Sequence, residues 1–189
     1  MTFTETAIPG GFLVRIERFA DERGSFGRIW CAEEFAAHGL DPRLVQSSVS
    51  FNHRRGTVRG MHYQAPPHAE GKLIRCTAGA LVDVMIDLRP DSPAFLRTVS
   101  AELTPENDTM LFLPAGCAHG FQTLADRTEI VYQMTVPYAP DAARGFRWDD
   151  PRTKVAWPLP VSVISERDRT YPDLRLEDLE VFRGRPGAS

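Results

Sequence analysis

The sequence predicts a mainly β fold, an antiparallel jelly roll or β-barrel, and three observations support that prediction. Residues 44–138 divide into short β-rich segments separated by glycine and proline. Residues 80–88 alternate in polarity with the period of a strand. No helical pattern separates these segments, which is typical of sandwiches and barrels. We therefore expect a jelly-roll β-barrel with short helical additions at both ends.

The elements follow in order along the chain. Residues 32–39 predict a short helix that ends at Gly39, ahead of Pro42. Strands are then predicted at residues 45–51, 57–64, 72–78, 80–88, 98–103, 109–113, 119–124 and 129–135. Residues 174–179 predict a second short helix, and the polar residues 183–189 predict a frayed tail.

The segment 80–88 predicts a strand with two unlike faces. One face is aliphatic throughout, with Val82, Val84, Ile86 and Leu88. The other alternates apolar and acidic side chains, with Leu81, Asp83, Met85 and Asp87. Because successive side chains point to opposite sides of a sheet, the acidic face borders either a polar lumen or the wet exterior.

Length and charge narrow the classes of function. At about 150 residues per domain, 189 residues favour a single domain spanning 1–189. The 22 basic and 25 acidic residues give a net charge of −3, with no long like-charged block, so nucleic acid is not an expected partner. No stretch reaches the roughly 18 apolar residues of a membrane span, and the N-terminus lacks the pattern of a secretory signal. No membrane partner is expected.

The cysteines indicate the compartment. There are three, an odd number without the close spacing of metal ligands: Cys31, Cys76 and Cys117. We interpret each as a small buried hydrophobic residue, because free cysteine is among the most buried residue types. A reducing cytoplasm fits this usage best.

Two segments carry candidate chemistry. The first is Arg-Gly-Met-His-Tyr-Gln at residues 59–64, followed by Lys72 and Arg75. The second is Pro-Ala-Gly-Cys-Ala-His-Gly-Phe at residues 114–121, which contains His119. Two histidines on separate strands can be neutral metal ligands. Alternatively, one of them can act as a base near neutral pH with an oriented acid partner.

The metal interpretation lacks ligands. The spacing Pro-x-Gly-x-x-His resembles the second motif of metal-binding cupins, whose first motif supplies His-x-His and an acid. Here the first motif reads His62-Tyr63-Gln64, with Glu70 beyond it, and glutamine substitutes poorly for an imidazole ligand. Lys72 adds positive charge where a dication would sit. We therefore expect no metal, and a metal-dependent cupin enzyme remains the alternative.

Each residue alone also has a purely structural interpretation. A single histidine on a strand is more often a hydrogen-bonded structural group than a catalyst, and Arg59 or Lys72 could be a solvated surface charge. Strict alternation also places Arg59 and His62 on opposite faces. Both can line one pocket only if a bulge or strong twist intervenes, which Gly60 would permit.

Taken together, the segments resemble the dTDP-4-dehydrorhamnose 3,5-epimerase family of nucleotide-sugar epimerases. The matches run in order over about residues 19–172. They are Phe19-Ala-Asp-Glu-Arg-Gly-Ser-Phe26, Gln46-x-x-x-Ser50, Val58-Arg-Gly-Met-His-Tyr-Gln64, Lys72-Leu-Ile-Arg75, Asp83-Val-Met-Ile-Asp-Leu-Arg89, Pro114-x-Gly-x-x-His-Gly-Phe121, Glu129-x-x-Tyr132, Trp148-Asp-Asp-Pro151, Trp157-Pro158 and Ser165-Glu-Arg-Asp168.

This resemblance implies a cupin-type jelly roll, a homodimer, and an isomerase that uses neither metal nor organic cofactor. The implied substrate is a nucleoside-diphosphate 4-keto-6-deoxyhexose. Its 4-keto group acidifies the hydrogens on C3 and C5. A base removes one hydrogen, an enolate forms, and an acid returns a proton to the opposite face. The resemblance leaves open whether one centre or both are inverted.

The resemblance also implies a role for each matched residue. His62 is the base, and Asp168 orients it and stabilises its charged form. Tyr132 is the acid on the other face of the sugar, and Lys72 stabilises the enolate oxygen. The remaining matches contact substrate: Arg23, Arg59 and His119 at the diphosphate, Gln46 nearby, Tyr138 stacked on the base, and also Phe26, Ser48 and Arg167.

The chain departs from the family at nucleotide or diphosphate positions. Arg28 stands where the family has Glu, Ser48 where it has Asn, and Arg167 where it has Lys, while an acidic residue is missing near Ala143. The proton-transfer residues are intact. We therefore hypothesise that the proton-transfer chemistry is kept. The carrier nucleotide or the sugar would differ from that of dTDP-4-keto-6-deoxyglucose. A catalytically idle nucleotide-sugar binder is a further alternative.

Overall fold

In the computed structural model, which describes residues 1–184, the chain forms two six-stranded sheets and one two-stranded hairpin. The strands are β1 (Thr2–Glu5), β2 (Phe12–Arg15), β3 (Arg18–Asp21), β4 (Gly24–Gly27), β5 (Gln46–Asn52), β6 (Thr57–Gln64), β7 (Lys72–Ala78), β8 (Leu81–Asp87), β9 (Thr98–Leu103), β10 (Thr109–Leu113), β11 (Cys117–Thr123), β12 (Thr128–Met134), β13 (Ala143–Gly145) and β14 (Val163–Ile164). The helices are α1 (Ala32–Ala37) and α2 (Glu166–Thr170), with 3₁₀ turns at Pro140–Ala142 and Leu176–Phe182.

The two large sheets give the fold its architecture. The first has the order β1-β2-β10-β7-β12-β5, and the second has β13-β6-β11-β8-β9 with β14 parallel beside β6. The other pairings are antiparallel within the described residues. Over residues 1–184 the two ladders stay separate, so the predicted jelly roll is confirmed as two facing sheets.

The main core lies between these sheets. Ile74 of β7 and Leu111 of β10 meet Met85 of β8 and Phe121 of β11, and each is at most 1% exposed. Burying a side chain of this size contributes roughly 1.5–3 kcal/mol. The layer therefore fixes the relative position of the strands that carry the polar cavity described below.

Strand β8 shows the predicted alternation. Leu81 and Met85 enter the core between the sheets, while Val84 and Ile86 pack on the opposite side of the second sheet. Asp83 lies on the inner face and is fully buried. Of the two environments that the sequence left open for this acidic face, Asp83 therefore occupies the polar lumen.

The outer faces of both sheets are covered. Phe35 of α1 is buried against the first sheet, where its ring meets Phe112 edge-on at 5.8 Å between centroids. Leu179 and Phe182 of the C-terminal 3₁₀ turn cover the second sheet. Helical additions at both ends thus shield the apolar backs of the two sheets.

The N-terminal strands were not predicted. Strands β1 and β2 contain four residues each, which is too short for alternation to be distinguished from chance. Strands β3 and β4 form a hairpin whose cross-strand pair Phe19 and Phe26 is about three-quarters exposed. An exposed apolar hairpin contradicts the usual inside-outside pattern, so hydrophobicity alone could not locate it.

The helix boundaries differ from the predicted ones. Helix α1 ends at Ala37, and the expected helix at 174–179 is instead a 3₁₀ turn over Leu176–Phe182. Isolated short helices are marginal in water, so tertiary contacts decide their form. Helix α2 was missed, although Ser165 caps it by accepting the Asp168 N–H at 3.1 Å.

The tail and the cysteines complete the comparison. The frayed tail was predicted from residue 183, but Arg183 and Gly184 both bind the carboxylate of Asp91. Residues 185–189 lie outside the described residues. Among the cysteines, Cys76 and Cys117 are buried as predicted, whereas Cys31 is only half-buried where α1 begins.

Burial raises the pKa of the Cys76 thiol to about 11, so this cysteine is an inert core residue. Burial also raises the pKa of Cys117. Over residues 1–184, none of the helices has the length and apolar character needed to cross a membrane.

Candidate active site

A polar cavity of about 280 Å³ opens between the sheets. It collects side chains from β5, β6, β7, β11 and β12, and from the segments that follow β12 and β14. All but three of the predicted site residues line it: His62, Lys72, Tyr132, Gln46, Ser48, Arg59, His119, Tyr138 and Arg167. Residues up to 121 positions apart in sequence are therefore brought to one site by the jelly-roll topology.

His62 and Asp168 form a hydrogen-bonded pair at this cavity. The His62 Nε2 lies 2.8 Å from the Asp168 Oδ1, and the Gly60 N–H donates to the Asp168 Oδ2 at 3.2 Å. Burial alone would raise the pKa of Asp168, but the His62 contact and the Gly60 N–H outweigh it and lower that pKa. Asp168 is thus held as a carboxylate behind the imidazole.

A bulge in β6 brings Arg59 and His62 to the same cavity. His119 of β11 pairs with His62 of β6, and Phe121 of β11 pairs with Arg59 of β6. The two residues of β11 are two positions apart, whereas their partners on β6 are three positions apart. The extra residue on β6 falls at Gly60, whose φ is +126°. A Cβ there would lie 2.6 Å from the Gly120 Cα. The bulge expected at Gly60 is therefore present, and it depends on glycine.

Tyr132 reaches the cavity from β12. Its ring meets the His119 ring edge-on at 5.8 Å between centroids. Burial and the nearby Asp83 carboxylate raise the pKa of Tyr132 well above its usual value, and Arg59 only partly opposes them. The hydroxyl therefore keeps its proton across the physiological range.

A second histidine–aspartate pair lies deeper. The His119 Nε2 is 2.9 Å from the Asp83 Oδ2, and the two side chains are 6% and 0% exposed. Burial raises the pKa of Asp83, while His119 and Lys72 oppose that rise. The sequence assigned no role to Asp83, although its place on the inner face of β8 was the signal that could have found it.

Lys72 is anchored by a carboxylate that also received no role. Its Nζ lies 2.7 Å from the Glu70 Oε1, and both side chains are largely buried. The other Glu70 oxygen accepts from the Gln64 Nε2 at 3.2 Å. Tyr171, whose ring is 6.0 Å from that of His62, also lines the cavity, and no sequence signal pointed to it.

The contact residues near the mouth are polar and partly exposed. Arg59 donates to the Asn52 side chain at 2.9 Å, and Gln46 accepts the Tyr138 N–H at 2.9 Å. Tyr138 is 54% exposed. The Arg167 Nε lies 3.5 Å from Asp168, which joins the mouth to the histidine pair.

Two predicted contact residues do not reach this cavity within one chain. Arg23 and Phe26 both belong to the β3–β4 hairpin, which forms its own two-stranded sheet. Arg23 is bound to Asp21 beside it, and its side chain is 84% exposed. Neither residue is among those that line the cavity of its own chain, so the substrate contacts of Arg23 and Phe26 stay a prediction.

The departures from the family pattern fall in different places. The Arg28 guanidinium binds the Glu34 carboxylate of α1 at 2.7 Å, away from the cavity. Ser48, Ala143 and Arg167 line the cavity itself. Within residues 1–184, no three His, Cys, Asp or Glu side chains are grouped as a metal site would require.

The sequence of the chain matches a family model and a curated relative. The model of the dTDP-4-dehydrorhamnose 3,5-epimerase family matches residues 5–176, slightly more than the 19–172 of the sequence motifs. The chain is 44% identical over 175 residues to the dTDP-4-dehydrorhamnose 3,5-epimerase of Sinorhizobium fredii, covering 92% of this chain and 90% of that one.

Solved structures of epimerases are also similar to this chain. The Legionella pneumophila dTDP-6-deoxy-D-glucose-3,5-epimerase, in complex with dTDP-4-keto-L-rhamnose, superposes with a TM-score of 0.90 at 31% identity, covering 98% and 99% of the two chains. A 3′-monoepimerase from Streptomyces bikiniensis in complex with dTDP-quinovose gives 0.84 at 31%, covering 94% and 91%. The chain therefore belongs to the dTDP-4-dehydrorhamnose 3,5-epimerase family, a family of isomerases.

Proposed function

We propose that this protein inverts C3, C5 or both of a nucleoside-diphosphate 4-keto-6-deoxyhexose by proton transfer through an enolate. One observation carries the proposal: His62, Lys72 and Tyr132 line a single cavity, with Asp168 bound to His62 from behind. A base, a cation and a protonated hydroxyl are the three groups that this chemistry needs.

His62 would take the first proton. With its Nε2–H donating to the Asp168 carboxylate, the imidazole presents the Nδ1 lone pair as the base. The carbon–hydrogen bonding electrons then move into a carbon–carbon double bond, and the carbonyl oxygen becomes an enolate oxygen. Asp168 would stabilise the imidazolium that results, since the two groups remain in contact.

Lys72 would stabilise the enolate oxygen. The Lys72 side chain is only 14% exposed, so little water screens its interaction with charge that develops in the reaction. Removing one such donor from an enzyme typically costs about 3 kcal/mol of transition-state stabilisation. We therefore assign to Lys72 the largest electrostatic contribution among the cavity residues.

Tyr132 would return a proton to the opposite face of the carbon. Its phenol is protonated, because burial raises its pKa, so it can donate as a general acid. The tyrosinate that is left is reprotonated from solvent, and His62 releases its proton likewise. Without a donor on the second face, the enolate would be reprotonated by His62 and the original centre restored.

We propose dTDP as the carrier nucleotide. Arg28 stands where the family has Glu, and this reversal of charge suggested a different carrier nucleotide. Its guanidinium is paired with Glu34, so it adds no free positive charge at the cavity. Two structures of relatives hold dTDP-linked sugars. Competition by dTDP, GDP, CDP and UDP tests the assignment: equal inhibition by all four, or a preference for another nucleotide, would instead support the carrier difference suggested by the sequence.

The proposed assembly is a homodimer in the cytoplasm. The β3–β4 hairpin exposes Phe19 and Phe26, and β5 is a sheet edge that exposes Val49. Exposed apolar hairpins and open edges are typically covered in the working assembly. A partner would bring its Arg23 to this subunit's cavity mouth. The cytoplasm suits three free thiols.

The activity itself is tested by product analysis. Purified protein is incubated with dTDP-4-keto-6-deoxyglucose, and the configurations at C3 and C5 are read by NMR. Inversion at one centre or both supports the proposal and distinguishes a monoepimerase from a double epimerase. An unchanged sugar, with protein that is folded and binds dTDP, would contradict it.

A further inference from the structure

Glu70 is a buried carboxylate that the proposed chemistry does not use. It lies in the segment before β7, 8% exposed, and its Oε1 is 2.7 Å from the Lys72 Nζ. An uncompensated charge at this depth would be strongly unfavourable. Its burial is tolerated because the Lys72 ammonium balances it, so the two residues form one structural unit at the cavity wall.

Gln64 fixes the other side of this carboxylate. The Gln64 Nε2 donates to the Glu70 Oε2 at 3.2 Å and to the His68 carbonyl at 3.0 Å. The Gln64 Oε1 accepts the Ala139 N–H at 2.6 Å. Gln64 is itself buried, so its amide has a single set of partners. The carboxylate is thereby linked to the segment that carries Tyr138.

This arrangement restrains a flexible cation. A lysine ammonium is a point charge on a four-carbon stem, with three N–H donors and many rotamers. One N–H donates to Glu70, which sets the direction of the stem. The two remaining hydrogens are free to point into the cavity that Lys72 lines. Without the carboxylate, nothing in this network would hold the ammonium at one place.

We propose that Glu70 is a positioning residue that holds the Lys72 ammonium where the substrate's 4-oxygen lies, with Gln64 fixing that position relative to the Tyr138 segment. The inference rests on the proposed function for the identity of the reaction. It adds the residues that place the cation and links the nucleotide end of the cavity to its reacting end.

The main test is Glu70→Gln, which keeps the shape and the acceptor for Gln64 but removes the charge. We expect kcat to fall at least about tenfold, because small displacements of a positioned group are costly. KM should rise with the weaker binding of the hexose, while the Kd for dTDP stays within about twofold. Glu180→Gln is the matched control, since Glu180 pairs with Arg183 outside the cavity. It should leave kcat unchanged.

A double-mutant cycle separates positioning from folding. In a Lys72→Met background, Glu70→Gln should cause no further loss of kcat, because the group that it positions is gone. A full additional loss would show that Glu70 acts only on the fold and would overturn the inference. If Glu70→Gln does not fold, Glu70→Asp keeps the charge with a shorter reach, and its kcat should lie between those of the wild type and Lys72→Met.

Gln64→Ala gives a second signature. Because Gln64 contacts both Glu70 and the Tyr138 segment, we expect its loss to lower kcat and also to weaken dTDP binding. Glu70→Gln should lower kcat without weakening dTDP binding. Equal effects of both variants on dTDP binding would contradict the separate assignments.

A binding measurement decides the inference even if the protein is not an epimerase. Calorimetry gives the Kd of dTDP-glucose relative to dTDP, which reports the contribution of the hexose. We expect Glu70→Gln to reduce that contribution several-fold and to leave dTDP alone unaffected. An inactive wild type would refute the proposed function, but the ratio of the two Kd values would still test the role of Glu70. An unchanged ratio in Glu70→Gln, with an active wild type, would refute the role of Glu70 alone.

Discussion

His62 and His119 line one cavity and are each paired with an aspartate, but their side chains differ in exposure to solvent. Each places Nε2 against an aspartate at under 3 Å, but the His62 side chain is 28% exposed and that of His119 only 6%. The exposed ring can exchange protons with solvent and substrate. The buried ring is fixed by Asp83, so it can present one orientation to a ligand. This difference in exposure supports the proposal that His62, and not His119, is the base.

Tyr132→Phe tests the acid at this scale. The substitution keeps the ring and removes the hydroxyl, so deprotonation by His62 remains while reprotonation from the second face is lost. We expect inversion to fall by roughly 10²–10⁴-fold, the usual range for one proton-transfer group, with a smaller effect on solvent exchange at the same carbon. Parallel loss of exchange and inversion, followed by NMR in D2O, would contradict the separation of roles.

The lowered pKa of Asp168 predicts a pH dependence of stability. Because its folded pKa lies below the ordinary 3.8, its stabilising contribution is full above that pH and is lost as pH falls through the folded value. Urea unfolding should show the wild type more stable than Asp168→Asn near pH 6, with the difference shrinking below about pH 4.

Asp83 supplies the control of opposite sign. Burial raises its folded pKa, so the folded state binds the extra proton, and the stability of the wild type relative to Asp83→Asn should fall as pH rises above 3.8. Identical pH trends for the two variants would show that the carboxylates do not differ as their environments indicate.

At the scale of elements, the bulge in β6 determines the site. Gly60→Ala places a Cβ against the Gly120 backbone and also forces alanine to φ +126°. Gly24 has nearly the same φ, +131°, with open space around it, so Gly24→Ala carries the backbone strain without the clash.

We expect Gly24→Ala to cost about 1–3 kcal/mol of unfolding free energy, and Gly60→Ala to cost clearly more, with loss of epimerase activity as His62 moves. Chemical denaturation of both variants at equal protein concentration measures the difference. Equal costs would show that the close approach of β6 and β11 contributes nothing.

The predictability of each element depended on its length and environment. Strand β8 was readable because one buried strand with two unlike faces leaves a clear alternation. The strands of the β3–β4 hairpin have four residues each, all but one of them exposed, so no burial pattern marks them. The 3₁₀ turn at Leu176–Phe182 was misassigned as α-helix because its form is set by packing on the second sheet.

The cavity residues divide in the same way. His62, Tyr132 and Lys72 were found from ordered motifs, and the bulge at Gly60 followed from the conflict between alternation and a shared pocket. Asp83 and Glu70 were not assigned, because a buried carboxylate is recognisable only when its partner is known. The partner of Asp83, His119, is 36 residues away, and the partner of Glu70, Lys72, is 2 residues away. The separation of two residues in the sequence therefore does not indicate which of them form such pairs.

At the scale of the whole molecule, the apolar hairpin predicts assembly. Phe19→Ser with Phe26→Ser removes the two most exposed large hydrophobic side chains of residues 1–184, and neither side chain belongs to a buried cluster. We expect sedimentation to shift from dimer toward monomer, with activity falling as Arg23 no longer reaches the partner's cavity. Leu176→Ser with Val181→Ser, also exposed but on the C-terminal turn, should leave assembly unchanged. A dimer that survives the hairpin substitutions would contradict this interface.

The most direct test of the central claim is proton exchange at the sugar carbons. Wild-type protein and His62→Ala are incubated with dTDP-4-keto-6-deoxyglucose in D2O, and deuterium at C3 and C5 is read by NMR while dTDP binding is measured in parallel. We predict that the wild type labels C3, C5 or both, and that His62→Ala labels neither while still binding dTDP. Labelling by His62→Ala at the wild-type rate would contradict the assignment of the base.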